Sequence, residues 1–560
     1  MMLQMPTFLR GRAARVSTPI LVATLCLAVS AVPEASAASA YPSDSTQPDL
    51  VSLLSDYSNY WKAANSYDSK DSSTFGKGTV VNADVLRHDD ETTVRINNAA
   101  AAGSDGTTPT AQQKRALIDS DYKMDETLPD SLGPILGAYF SEGLKQGKLP
   151  LTDELLIASG TSLISNYLDT GDAKSTYNHP RPFVDRTNAG YVKAGLSQTL
   201  GIDKVPVWTD SAGTEHNPGY DWFITSPSFP SGHTTYAYSG GIGLATLIPE
   251  LAPEILTRAS EAGNNRIVLG VHYPLDIMGG RIDGEAANVA RWSDTAFRTD
   301  KILPAQKELR SYLTSRCKAD GYGDTLAACI EKTGANDKNG YANSFTDAVA
   351  TVAVTDRASA LTVYKERLTY GFSQTGKSGQ KAVVPEGAEN LLITTFPTLS
   401  ASQRRTVLAD TEIDSGYPLD SSSEGYQRLN LAAAMSSKVT LSADGTVVKV
   451  EPGQKVASVV VEKASSNSSK ASNGASSSSS SMNAPSKAGS SSTSSNAKPK
   501  SSTSAGASST GASSKGSSAL ASTGAGVGAA TALAAALLAT GCVSTVVSRR
   551  HRDGGVTSSR

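Results

Sequence analysis

Three short clusters between Lys174 and Asp276 hold side chains suited to handling a phosphoryl group. Lys174 with Arg181-Pro182 forms the first, Pro230-Ser231-Gly232-His233 the second, and Arg266, His272 and Asp276 the third. Guanidinium forks match phosphate oxygens in bidentate fashion, and a lysine adds a point charge. Two histidines supply proton or nucleophile chemistry, and an aspartate four residues beyond His272 is placed to accept that ring's N–H, fixing its tautomer. No cluster of carboxylates suited to Mg²⁺ accompanies them. Charge developing in a transition state would therefore be met by side chains alone, and no metal is expected.

These residues need rigid elements to bring them together. Leu156, Leu163 and Tyr167 recur at helical spacing after Thr152-Asp153, which predicts a helix to about Asp169 with Lys174 just beyond its end. Lys174 and Arg181 would share a face if helical, and Pro180 and Pro182 would hold Arg181 still. His179, between them, is expected to make local hydrogen bonds. Pro230 is suited to open a helix running to about Leu247, whose N-terminus would turn the amides of Ser231, Gly232 and His233 toward an anion. A further helix from about Pro253 to Leu269 would carry Arg266 on an apolar face, Gly270-Val271 would end it, and Pro274 would begin the next. Residues 190–222, rich in Gly, Pro, Asp and Thr, read as a long loop with few or no strands. Trp208, His216 and Trp222 are its candidates for lining an entrance, with packing the expected role of both tryptophans.

The pattern K-x6-R-P, P-S-G-H, R-x5-H-x3-D resembles the type-2 phosphatidic acid phosphatase superfamily, which includes class A bacterial acid phosphatases, lipid phosphate phosphatases and vanadium haloperoxidases. Arg181-Pro182-Phe183, Phe229, His272-Tyr273 and Gly280-Arg281 lean toward the soluble acid phosphatases. Asn265 stands where the family usually has Ser. The resemblance implies a mainly α, helical-bundle catalytic domain over about residues 48–300. It also implies phosphomonoester hydrolysis without cofactor through a phosphohistidine on His272, with His233 as general acid and Asp276 orienting. Lys174, Arg181, Arg266, Ser231 and Gly232 would hold a small phosphorylated substrate. A lipid or prenyl (pyro)phosphate phosphatase is the alternative, though residues 174–276 lack membrane-length apolar runs. A haloperoxidase would hold vanadate as cofactor in the same pocket, where a phosphatase would take it as inhibitor. A surface adhesin retaining the pocket is the non-enzymatic reading.

The flanks read as addresses. Arg10, Arg12 and Arg15 precede an apolar run and Ala35-Ser36-Ala37, the pattern of a signal peptide over residues 1–37. Leu520-Ala521-Ser522-Thr523-Gly524, an apolar tract and Arg549-Arg550-His551-Arg552 resemble a Gram-positive sorting signal over 520–560. A sortase would then cut between Thr523 and Gly524 and join the chain to cell-wall peptide; the other reading is a plain membrane anchor. Either leaves the enzyme outside the cell. Without both addresses the chain keeps 44 Lys and Arg against 51 Asp and Glu, so a broad nucleic-acid-binding surface is not expected. Cys317 and Cys329 then remain, either paired as a disulfide or buried as thiols. Residues 301–436 read as a helical extension on the core, with Ser400 and Gln403 as a capping box. Residues 437–462 read as a hairpin plus one strand, and 463–519, dominated by Ser, as a disordered spacer.

Overall fold

A helix with apolar and small residues on all sides must be enclosed on all sides, and Gly232–Leu247 is such a helix. The computed structural model describes residues 41–187, 190–420 and 424–462, and the expected signal peptide, spacer and sorting signal lie outside them. In chain order the longer helices, with one short one that bears on the site, are α1 (Ala83–Ala101), α2 (Ala111–Asp119), α3 (Gly133–Lys145), α4 (Gly171–Tyr177), α5 (Gly232–Leu247), α6 (Ala252–Val268), α7 (Pro274–Ser293), α8 (Leu303–Ala319), α9 (Leu326–Thr333), α10 (Arg357–Arg367) and α11 (Ala401–Thr411). The protein is mainly α.

The centre is α5 packed between α6 and α7. Two glycines set how close these helices come. A Cβ on Gly241 would lie 2.5 Å from the Ala259 Cβ of α6, and one on Gly284 of α7 would lie 2.7 Å from the Tyr238 Cβ of α5. Ile255, Leu256, Ile267 and Val268 of α6 are fully buried, each worth about 1.5–3 kcal/mol against exposure. The core helices also carry charges, and several of these are paired with one another or with surrounding elements. Glu254 meets Arg357 of α10 at 2.7 Å, Arg258 meets Asp119 of α2, and Arg281 meets Glu285 at 2.7 Å and donates to the Gln427 carbonyl at 3.0 Å. Residues beyond 300 thus bind α6 and α7 by buried ion pairs and hydrogen bonds as well as by apolar contact.

Sheets are small. β1 (Trp61–Ala63) pairs with β2 (Gly78–Val80), and β3 (Trp208–Thr209) with β4 (Glu215–His216), both antiparallel. β5 (Lys438–Leu441) is central to a sheet in which β6 (Val447–Glu451) is antiparallel and β7 (Ser458–Val461) parallel to it. Ser400 and Gln403 do form a capping box on α11. Cys317 and Cys329 are joined as a disulfide between α8 and α9.

Several expectations need correction. No single helix spans 153–169: a π-helical turn covers Asp153–Ile157, and α4 begins only at Gly171, so Lys174 sits inside a helix rather than after one. Ser162, hydrogen-bonded to Asn166 at 2.6 Å, and Gly160 at φ +72° belong to the irregular path that replaces it. Arg181 does not share that helix, because Asn178 turns left-handed at φ 43° and ends it. Residues 301–436 are helical only in part, with 371–387 running without helix.

Candidate active site

The end of α4, the start of α5, the end of α6 and the start of α7 converge, and each delivers one part of the constellation. Ser231 caps α5, its hydroxyl accepting from the Thr234 amide at 3.3 Å. That cap sets the start of the helix at Gly232, one residue after the Ser and two after Pro230, which therefore does not open it. The Ser231 amide is not turned outward either, since it donates to the Asp276 carbonyl at 3.0 Å. Gly232 and His233 then provide the first amides of α5, which have no partner within the helix. A Cβ on Gly232 would lie 3.1 Å from Thr170 Oγ1 and 3.5 Å from the Tyr122 hydroxyl. Those two hydroxyls therefore flank the same helix N-terminus.

His272 is fully buried between two partners that fix its protons. Arg181 Nη1 lies 3.0 Å from His272 Nε2, and Asp276 Oδ2 lies 2.9 Å from His272 Nδ1. A guanidinium can only donate, so Nε2 carries the lone pair and Nδ1 the proton. Burial holds the imidazole well below its usual pKa, helped by Arg181, Lys174 and Arg266. The neutral, nucleophilic form follows. Asp276 is pushed up to about 7 by burial, against the pull of the Tyr273 amide, Lys174 and Arg181.

The cations differ in what they already hold. Lys174 donates to the carbonyls of Pro227, Ser228 and Pro230, at 3.2, 2.9 and 2.5 Å. Burial, then Arg181, pushes its amine well below its usual value. Arg181 donates to the Ser226 and Val271 carbonyls at 3.0 and 2.8 Å. Arg266 is different: its Nε, Nη1 and Nη2 are all buried without a hydrogen-bond partner. The Phe223 ring lies 5.8 Å from its guanidinium and 4.5 Å from that of Arg181. A buried guanidinium with no acceptor is costly unless an anion supplies one. Burial brings Arg266 down to about 10, so it stays charged at neutral pH.

His233 points one nitrogen at protein and leaves the other open. Nε2 lies 3.1 Å from the Ser120 carbonyl, so Nε2 carries a proton, while Nδ1 is buried without a partner. The Tyr122 ring lies against the imidazole, centroids 3.7 Å apart and planes tilted by 34°. Burial, with Arg266 next, lowers the His233 pKa well below its usual value.

The structure thus brings together Lys174, Arg181, Gly232, His233, Arg266, His272 and Asp276, and gives Ser231 a capping role beside them. Cys317 and Cys329 lie apart on α8 and α9, and Thr523 and Gly524 fall outside the described residues. His179 does make local bonds, to Ser228 Oγ at 3.1 Å and to Tyr191. His216 is buried, hydrogen-bonded to Asp121 at 2.8 Å, and stacks on Trp208, whereas Trp222 is 59 % exposed. Ser120, Tyr122, Thr170 and Phe223 escaped the sequence reading. No motif marks them, and Tyr122 sits at φ 59°, a conformation its residue type does not announce. Asn265 donates to Asp119 Oδ2 at 2.7 Å. Among the described residues no three His, Cys, Asp or Glu side chains gather as a metal would require, and no helix is long and apolar enough to cross a membrane.

The family model of the PAP2 superfamily matches residues 155–299, the stretch that carries these two histidines and three cations. The chain is also 34 % identical over 154 residues to an acid phosphatase of Zymomonas mobilis, covering 28 % of this chain and 49 % of that protein. It is 26 % identical over 196 residues to a non-specific acid phosphatase of Salmonella typhi, covering 35 % and 66 %. A non-specific acid phosphatase of Providencia stuartii matches at 32 % over 71 residues, 13 % and 29 % of the two chains. The chain therefore spans less than two thirds of the length of these relatives.

Proposed function

We propose that this protein is an exported phosphomonoesterase of the acid phosphatase kind, working through a phosphohistidine on His272 without a metal. The observation that carries it is Arg266, a fully buried guanidinium whose three nitrogens lack any acceptor, set among Arg181, Lys174 and the start of α5. A phosphoryl group bound there would give Arg266 its missing acceptors and would compete with His272 for Arg181 Nη1. Release of Nε2 from that contact exposes its lone pair. Nε2 then forms a bond to phosphorus while the bond from phosphorus to the leaving oxygen breaks, and His233 Nδ1 gives that oxygen its proton. In the second step water attacks phosphorus, its proton passes to His233 Nδ1, and the N–P bond breaks. Asp276 holds the Nδ1 proton of His272 throughout.

Export and attachment to the cell wall are part of the same proposal, supported by the Ala35-Ser36-Ala37 and Leu520–Gly524 patterns. That the similar proteins of Zymomonas mobilis and Salmonella typhi are acid phosphatases supports the reaction class. Hydrolysis of an aryl phosphate in excess chelator tests the reading. Chelator-resistant turnover, inhibited by vanadate and lost in His272→Ala, is expected; a rate that needs added divalent metal, or that survives His272→Ala, would overturn it. Bromide oxidation with added vanadate and no phosphatase activity would point instead to the haloperoxidase branch.

A further inference from the structure

We propose that Asp119, at the end of α2, is a positioning residue that fixes which nitrogen of His233 delivers the proton; the proposal rests on the phosphatase reading above. The four residues 119–122 form one anchored device. Asp119 is 5 % exposed and accepts from Arg258 Nη1 and Nη2 at 3.0 and 2.5 Å, from Asn265 Nδ2 at 2.7 Å and from Thr127 Oγ1 at 3.2 Å. The next residue, Ser120, presents its carbonyl to His233 Nε2. Asp121 is held by His216 at 2.8 Å, and Tyr122, turned left-handed, lays its ring on the His233 imidazole.

A carbonyl oxygen accepts and cannot donate, so as long as Ser120 stays in place Nε2 keeps a proton in both charge states of His233. When the ring is charged, the proton that can leave is the one on Nδ1, the nitrogen with no protein partner. Fixing Ser120 therefore fixes the acid. Two of the groups fixing it, Arg258 and Asn265, lie on α6 within eight residues of Arg266, so the anion-binding helix and the proton donor share one anchor. The anchor extends outward. Arg258 also meets Asp130 at 2.8 Å and Glu261 at 3.5 Å, and Glu261 accepts from Tyr341 at 2.6 Å and from Asn343 at 2.7 Å in the segment after α9. It also explains Asn265: an amide at this position reaches Asp119, so the departure from Ser becomes part of the device.

Leaving-group dependence tests this. An alkyl phosphate needs its leaving oxygen protonated, whereas a nitrophenyl phosphate does not, and general acid help is worth roughly 10²–10⁴ in rate. Asp119→Asn is expected to lower kcat/KM for the alkyl substrate at least about 10-fold more than for the nitrophenyl one. In a His233→Ala background it is expected to add little, because the two changes remove the same proton transfer. Equal losses on both substrates, or losses that multiply with those of His233→Ala, would overturn the proposal. Where near-UV circular dichroism shows that Asp119→Asn does not fold, Asn265→Leu, which removes one of the four hydrogen bonds, decides by the same comparison. A wild-type chain that turns over neither ester overturns the phosphatase reading itself, and this proposal with it.

Discussion

Arg266→Met separates stability from function, because the same buried charge is a burden in the empty protein and the point of the binding site. Burial, the first cause, brings the guanidinium from its ordinary value down to about 10, which corresponds to about 3 kcal/mol of disfavoured charge. Methionine is of similar length and removes that cost, at the loss of a contact over Phe223 worth about 0.5–1 kcal/mol. A net stabilisation of about 1–3 kcal/mol follows, in the range seen when buried charges give way to apolar side chains. Activity should move the other way. Two charge-assisted hydrogen bonds to the phosphoryl group at about 1.5–3 kcal/mol each predict a fall in kcat/KM of roughly 10²–10⁴. Urea unfolding with and without inorganic phosphate reads the first part. The wild type should gain about 2.7 kcal/mol at a hundred times its phosphate Kd, and the variant, more stable at the outset, should gain far less. A variant less stable than wild type, or one that keeps the phosphate gain, would refute the view of Arg266 as an unpaired anion receptor.

Other consequences follow from the same geometry. Hydrolysis of alkyl phosphates should fall as pH rises, because burial already holds His233 well below its usual value and it must be charged to act as acid; a pH–rate profile flat from 4 to 9 would contradict the split of roles between His233 and His272. Asp283 is buried with one hydrogen bond, from Thr235 at 3.2 Å, and burial raises its pKa well above 3.8. Its folded form keeps a proton that the unfolded chain loses above about pH 4, a penalty that grows by about 1.4 kcal/mol per pH unit until its folded pKa is reached. Asp283→Asn should therefore help stability more at pH 8 than at pH 5, and an equal effect at both in urea titrations would count against it. Gly241→Ala, which places a Cβ 2.5 Å from that of Ala259, should destabilise by about 1–3 kcal/mol through separation of α5 from α6; an unchanged urea midpoint would be the contrary result.

The cluster was legible in the sequence because it is made of residue types that few other roles require at that spacing. Lys174, Arg181, Gly232, His233, Arg266, His272 and Asp276 could be named without coordinates, and so could α6 and the break at Gly270-Val271, whose periodicity and turn residues are local signals. The stretch from 153 to 170 was not legible. Its apolar residues recur at helical spacing, but they are met from outside by different partners. Leu156 lies against Gly243 of α5, and the Leu163 carbonyl accepts from Arg291 of α7, so burial rather than periodicity decided the path. Which nitrogen of each histidine holds a proton was likewise beyond the sequence. That depends on the Ser120 carbonyl for His233 and on Arg181 for His272, contacts made across more than ninety residues of chain. The sequence by itself determined which groups could bind a phosphoryl oxygen or move a proton. Only the tertiary structure decided which of those groups already have partners and which, like Arg266, do not, because hydrogen-bond satisfaction in a buried site is set by neighbours that the order of residues does not place.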